Sequence, residues 1–255
     1  MTDPRLGIVH VHTDWSHDGR DTVDGLAAAC RARGIGFVGL TEHAEDMTAE
    51  RWPAYVEACA AASGNGVRLF PGLEFRFEGF KGLHLLALGL RRWHEPATPA
   101  AFVAEVVPDA AFTIVAHPIL TGHQVPGPVL GSVDAIEVWN AAYNTRWLPD
   151  PAAIRLLHGA RGRRPELVGV AGLDQHDSRN DRETRVLLDS PVGDPLAQLK
   201  AGRFQNLGKT MRFGPTVPWS AGRLTAMTAL RTAFDVVERT QDWLARRTPG
   251  HVELP

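Results

Sequence analysis

The sequence predicts an α/β fold organised on a parallel sheet, closed or open. Three observations point to it. Short apolar runs alternate with stretches of helical periodicity. Many of those runs are apolar throughout, as in strands covered on both faces. The chain has 255 residues, 44% of them hydrophobic, enough for one sizeable core.

The elements follow in order. Gly7–Val11 is an apolar strand running into His10 and His12. Thr22–Arg33 is a helix that Gly34 ends. Phe37–Leu40 is the second strand, and Thr48–Ala62 the second helix. Arg68–Leu73 and Leu83–Leu90 are apolar enough to be buried strands. Pro99–Val107 is a helix opened by proline, whose missing N–H is harmless in a first turn. Phe112–Ala116 and Ala135–Trp139 are strands, Pro151–His158 a helix, Leu167–Ala171 and Arg185–Leu188 strands, and Pro195–Ala201 a helix. The irregular stretches Leu120–Val133 and Ala141–Asp150 are candidate loops over a site. There is no internal repeat.

The tail is different. Leu224–Arg246 reads as one long amphipathic helix, approached through the Gly/Pro-rich stretch Gly208–Arg223. We expect residues 1–223 to form the main domain. Residues 224–255 suit either packing on that domain or a contact within a homo-oligomer.

Composition narrows the classes. The net charge is −2, and the longest basic cluster, Arg161-Gly162-Arg163-Arg164, is too short to track long nucleic acid. Cys30 and Cys59 fall in predicted helices without ligand spacing, and read as buried free thiols. Met1-Thr2-Asp3-Pro4 does not begin a signal peptide, and no apolar run approaches membrane-spanning length. A cytoplasmic protein without a membrane partner is the expectation.

The most informative segment is His10-Val11-His12-Thr13-Asp14-Trp15-Ser16-His17-Asp18-Gly19. Alternation along a strand projects His10 and His12 to one side, which suits two imidazoles on one cation. The same pattern recurs. Phe37–Leu40 leads to Thr41-Glu42-His43, Leu69–Leu73 to Glu74, Phe112–Ala116 to His117-Pro118, Ala135–Trp139 to Asn140, and Val168–Leu173 to Asp174-Gln175-His176. His84 is the exception, near the start of its run. In a parallel barrel all strand C-termini open on one face, so these side chains converge. Uncompensated, so many buried polar groups would be costly; divalent cations satisfy them. Mixed His, Asp and Glu donors suit Zn, Mn or Fe better than Mg or Ca. Glu74 and Asp174 are the candidate bridges between cations. Arginines offer bidentate forks for phosphate; Arg20, Arg146 and Arg179, with Arg182 and Arg185, lie near the expected rim.

These motifs resemble the PHP (polymerase and histidinol phosphatase) family of metal-dependent phosphoesterases. The carrying residues are His10-x-His12-Thr13-x-x-Ser16-x-Asp18-Gly19, Thr41-Glu42-His43, Gly72-x-Glu74, Ala116-His117-Pro118 and Gly172-x-Asp174-x-His176, spanning residues 8–176. The resemblance implies a distorted (β/α)7 barrel of the TIM-like kind, with two or three divalent ions at the strand C-termini. It implies His10, His12, Glu74 and Asp174 on a first cation, and Glu74, His84 and His117 on a second. A third would take His43, His176 and either His17 or Asp18; Asp18, which precedes Gly19, is the better match. Ala44 departs from the usual pattern, where a carboxylate follows the histidine.

The function so implied is hydrolysis of a small phosphomonoester, nucleotide-like or histidinol-phosphate-like, by water that the cations activate. Asp18, His43 or His176 would protonate the leaving alkoxide. No Gly-x-Ser-x-Gly elbow or P-loop competes with that chemistry. The alternatives are a metal-dependent amidohydrolase or lactonase, and a non-catalytic metal-binding module.

Overall fold

The computed structural model describes residues 2–144, 147–180 and 182–247. The chain divides into two compact units, residues 1–218 and 219–255. The second unit carries one long helix, Ala221–Arg247, within which the expected Leu224–Arg246 falls. No described helix is long and apolar enough to cross a membrane.

The first unit is α/β. Its strands are β1 (Asp3–Val11), β2 (Ile35–Leu40), β3 (Glu42–His43), β4 (Arg68–Phe70), β5 (Gly72–Arg76), β6 (His84–Leu88), β7 (Phe112–Ala116), β8 (Ala135–Asn140), β9 (Val168–Gly172), β10 (Arg185–Leu188), β11 (Phe204–Leu207) and β12 (Arg212–Phe213). Its helices are α1 (Val23–Ala32), α2 (Trp52–Ala62), α3 (Pro99–Ala101, continued by a π-helical turn over Phe102–Val106), α4 (Gly127–Leu130), α5 (Pro151–Arg161) and α6 (Pro195–Lys200). Local chemistry sets several boundaries. Thr22 Oγ1 accepts the Gly25 N–H at 3.0 Å to cap α1, Asp150 caps α5 and Asp194 caps α6, the last two followed by proline. Cys30 on α1 and Cys59 on α2 are buried and unbridged.

Two six-stranded sheets form, in the orders β12-β11-β10-β1-β2-β4 and β3-β5-β6-β7-β8-β9. Both are mixed, which corrects the expectation of a parallel sheet. The pairs β1–β2, β2–β4, β3–β5, β7–β8 and β8–β9 are parallel; β5–β6, β6–β7, β1–β10, β10–β11 and β11–β12 are antiparallel. The reason is connection length. The loop from β5 to β6 spans only residues 77–83, with Gly79 and Gly82 at positive φ, too short for the crossover that parallel pairing needs.

The expected strand Arg68–Leu73 is two strands in different sheets. Pro71 has no N–H to donate, and the chain leaves the first sheet there. A Cβ on Gly72 would lie 2.4 Å from Ala87 O and 2.5 Å from Leu40 O, so only glycine fits at that passage. The core lies between the sheets, with Val9, Phe37, Val186 and Phe204 from one and Leu86, Phe112, Ile114 and Val170 from the other, all buried. Buried Asn206 of β11 ties the sheets: its Oδ1 accepts the Ala171 N–H at 2.7 Å, and its Nδ2 donates to Gly169 O at 2.8 Å.

Candidate metal centre

The strand ends place the site. At His10 the pairing of β1 with β2 slips by a residue, and His10 takes a positive φ of 64°. His117 (φ 21°) and Asp174 (φ 49°) are also left-handed. Such backbone costs about 1–3 kcal/mol per residue and persists where its surroundings enforce it. Simple alternation along β1 therefore does not by itself aim His10. The bulge does, and the rings of His10 and His12 stand 5.3 Å apart.

Glu74, buried on β5, is the hub. Its Oε1 lies 2.8 Å from His84 Nδ1, 3.2 Å from His117 Nε2 and 3.7 Å from His10 Nε2. Its Oε2 lies 3.1 Å from His43 Nδ1 and 3.6 Å from His12 Nε2. Burial pushes this carboxyl up, but the imidazoles of His10, His117, His43 and His84 outweigh it and hold it well below the usual range. His84 reaches the hub because β6 runs antiparallel, opposite Arg76 on β5 and Ala116 on β7. The start of an antiparallel strand thus shares a rim with the ends of its neighbours.

The fit to a cation follows from one tautomer. His10 Nδ1 lies 2.8 Å from Glu137 Oε1, and an ionised carboxylate only accepts, so Nδ1 carries the hydrogen. The lone pair on Nε2 then faces Asp174 Oδ1 at 3.2 Å, an acceptor meeting an acceptor. His12 Nε2 stands 3.4 Å from the same oxygen. Both Nε2 atoms are buried with no hydrogen-bond partner among the described residues. A positive charge between His10 Nε2 and Asp174 Oδ1 makes the arrangement favourable. Without a cation the proton takes that place: burial pushes His10 down, yet the Glu137 and Asp174 carboxylates raise it well above 6.5. The donor set His10, His12 and Asp174, and the set His10, Glu74 and His117, each have one ligand atom per residue within 4.8 Å of the others, as do His12, His43 and His176.

The third expected group lies at the open edge. Asp18 Oδ1 is 3.1 Å from His43 Nε2, and Asp18 Oδ2 is 3.3 Å from His176 Nε2. Burial raises Asp18, but His176 and His43 prevail and lower it. His17, more exposed, lies with Nδ1 2.7 Å from Asp46 Oδ2, although it also falls in a possible ligand set with Asp18 and His43. Buried Glu42 holds this loop: it accepts the Thr13 N–H, the Thr13 hydroxyl at 2.7 Å and the Ser16 hydroxyl at 2.6 Å, and Ser16 Oγ accepts the His43 N–H at 2.9 Å. A Cβ on Gly19 would fall 1.9 Å from Thr13 O, so the turn after Asp18 requires glycine.

The arginines separate. Arg20 and Arg182 line a cleft of about 410 Å³ together with Asp18, Asp174 and His176. Arg179 lies outside that lining, and its fork closes on Asp177 at 2.7 and 2.9 Å. Arg146 lies outside the described residues. His94, His123 and His158 pair with Asp109, Asp150 and Val217 O, away from the hub.

Sequence reasoning missed three neighbours of the site. Glu137, a carboxylate in an otherwise apolar run, also accepts the His117 N–H at 2.7 Å and the Asn140 amide at 2.8 Å. Arg76 lies two residues beyond Glu74 on the same strand, a spacing that shares a face. Tyr143 packs its ring 4.7 Å from that of His117, with its hydroxyl raised by burial and by Asp174 and Glu74; no periodicity marks a loop residue of this kind.

Comparisons with known proteins agree with the motifs. The family model for the PHP domain matches residues 9–113. PsfC from Pseudomonas syringae shares the fold, with a TM-score of 0.54 at 18% identity over 90% of this chain and 98% of its own. Weaker likenesses include a candidate metal-dependent phosphoesterase from Bifidobacterium adolescentis (TM-score 0.47, 18% identity, 68% of this chain and 88% of that one). An amidohydrolase from Chromobacterium violaceum, solved with sulfate and no metal, gives a TM-score of 0.49 at 13% identity, over 67% of this chain and 87% of that one. No curated protein matches. Of the expected ligands, His10, His12, His17, Asp18, His43, Glu74 and His84 fall within the span that matches the PHP domain model.

Proposed function

We propose that the protein is a metal-dependent hydrolase acting on a small phosphomonoester. One observation supports this above all: two buried nitrogens, His10 Nε2 and His12 Nε2, face a single carboxylate oxygen of Asp174 inside a ring of imidazoles centred on Glu74. By position, His10, His12, Glu74 and Asp174 hold one cation, Glu74, His84 and His117 a second, and Asp18, His43 and His176 a third. Asp18 is preferred to His17 because it touches both imidazoles of that group. The mixed donors favour Zn, Mn or Fe. We read the two sheets as halves of a distorted (β/α)7 barrel, since Leu173 N–H to Val9 O (3.0 Å) and His12 N–H to Gln175 O (2.8 Å) join the end of β1 in one sheet to the segment that follows β9 in the other.

When bound, such cations supply Lewis acidity and a water that ionises near neutral pH. The chain's own groups do the rest. Glu137 fixes the His10 tautomer, and Glu42 fixes the loop that presents Asp18. Asp18 and His176, at the open edge, and the buried His43 in contact with Asp18 would hold or pass the proton that the departing alkoxide needs. The adjoining cleft, with Arg20, Arg182 and Asn180 in its lining, suits a polar leaving group.

The test is a substrate comparison. Chelator-stripped protein reloaded with Zn, Mn or Fe is assayed on nucleoside monophosphates, histidinol phosphate and p-nitrophenyl phosphate, beside amides and lactones. We expect turnover of phosphate esters that Asp174→Asn abolishes. Turnover confined to amides or lactones, or an Asp174→Asn variant as active as its parent, contradicts the proposal.

A further inference from the structure

We propose that Arg76 grips the substrate's anionic oxygens and so selects a tetrahedral oxyanion over a neutral carbonyl compound; this rests on the hydrolase reading above. Arg76 closes β5, on the same pleat face as Glu74. Its Nη1 is tied to Glu45 at 3.1 Å, and its Nη2 lies 3.3 Å from His43 Nδ1. That second contact does not satisfy the guanidinium. His43 Nδ1 is also 3.1 Å from Glu74 Oε2, so its hydrogen belongs to Glu74. Were that nitrogen instead a metal ligand, its lone pair would be taken by the cation. In both states Nη2 meets a nitrogen that cannot accept; only the tautomer with its hydrogen on Nε2, toward Asp18, would accept from it, and that tautomer turns the Nδ1 lone pair onto Glu74 Oε2. Among the described residues no other acceptor reaches it.

Charge leads to the same place. A guanidinium beside a cation cluster is repelled unless an anion lies between them. Arg76 is 43% exposed, anchored at one end and open at the other, so a phosphoryl group seated over the cluster can take the Nη2 edge of the fork. Two other candidates are less available: the Arg179 fork is closed on Asp177, and Arg182 Nη1 donates to Ala141 O at 2.8 Å; Arg20 lines the adjoining cleft beside Asp18 and His176. A neutral amide or lactone offers the Nη2 edge of Arg76 no charged acceptor, which gives this site a reason to prefer phosphate esters.

The experiment is calorimetric titration of inorganic phosphate into the full chain loaded with Zn or Mn, for the parent, Arg76→Gln and Arg76→Lys, with metal content measured on each sample. We expect Arg76→Gln to bind phosphate roughly 10- to 100-fold more weakly at unchanged metal content, with Arg76→Lys recovering part of the loss. Phosphate affinity unchanged in Arg76→Gln overturns the proposal. So does a loss of metal that accounts for the loss of phosphate, and so does a loaded parent that binds no phosphate. If phosphate binding depends on Arg76 while no phosphomonoester is turned over, the hydrolase reading fails and the role of Arg76 stands.

Discussion

His10 Nδ1 donates to Glu137 Oε1 over 2.8 Å, and that bond decides which nitrogen of His10 faces the cluster. Glu137 also receives the His117 N–H and the Asn140 amide, so one buried carboxylate orients ligands from β1 and from the end of β7.

Glu137→Gln places an NH₂ donor among three donors. We expect metal affinity to fall about 10- to 100-fold, as when an outer partner of a ligating histidine is lost. Competition with a chromophoric chelator measures it. Unaltered affinity would show that His10 needs no such orientation.

Gly172→Ala should give the same signature by another route. Its Cβ would lie 1.9 Å from Glu137 Oε1 and 3.3 Å from His10 Cβ, so the carboxylate must move. Overpacking of this kind costs about 1–3 kcal/mol, read by urea unfolding, and weaker metal binding should accompany it. A variant of parental stability and metal affinity would count against the packing described at this glycine.

Glu42→Ala leaves the Thr13 N–H and the Thr13 and Ser16 hydroxyls without their acceptor in a buried place. The expected loss is roughly 1–3 kcal/mol in denaturant unfolding. Because the same loop carries Asp18, turnover should fall further than stability alone explains.

Metal-free protein should be most stable near pH 6.5. Burial pushes His12 down to about 4, so its contribution is present above 6.5 and lost as pH falls toward 4. His10 and His43 are pushed down by burial but raised on balance by their carboxylate neighbours, Glu137 and Asp174 for His10 and Glu74 for His43. Their contribution is present below 6.5 and lost as pH rises. A bound cation replaces the proton, so loading should remove the alkaline decline. Calorimetric scans between about pH 5 and pH 8.5, with chelator and with Zn, check both limbs. Stripped protein that keeps gaining stability above pH 6.5 would refute the assignment.

Much of the site was legible because ligand-type residues end apolar runs, and a run's end is visible in sequence. Glu74, His117 and Asp174 are read that way, and the structure brings them together. Strand direction is not visible in a run, so the antiparallel β6 made His84 look misplaced. Pro71 split one apolar run between two sheets, and its position in the run was the available signal. Glu137 meets His10 across 127 residues, a separation that local pattern does not encode, whereas the two-residue spacing of Arg76 from Glu74 on one strand was the available signal for Arg76.

The most direct measurement is elemental analysis of stripped and reloaded protein, parent beside Asp174→Asn. The proposed function predicts two or three divalent cations per parent chain and fewer in the variant, since Asp174 Oδ1 faces both His10 and His12. A parent chain that retains fewer than about two equivalents, or a variant that binds as much as its parent, would contradict it.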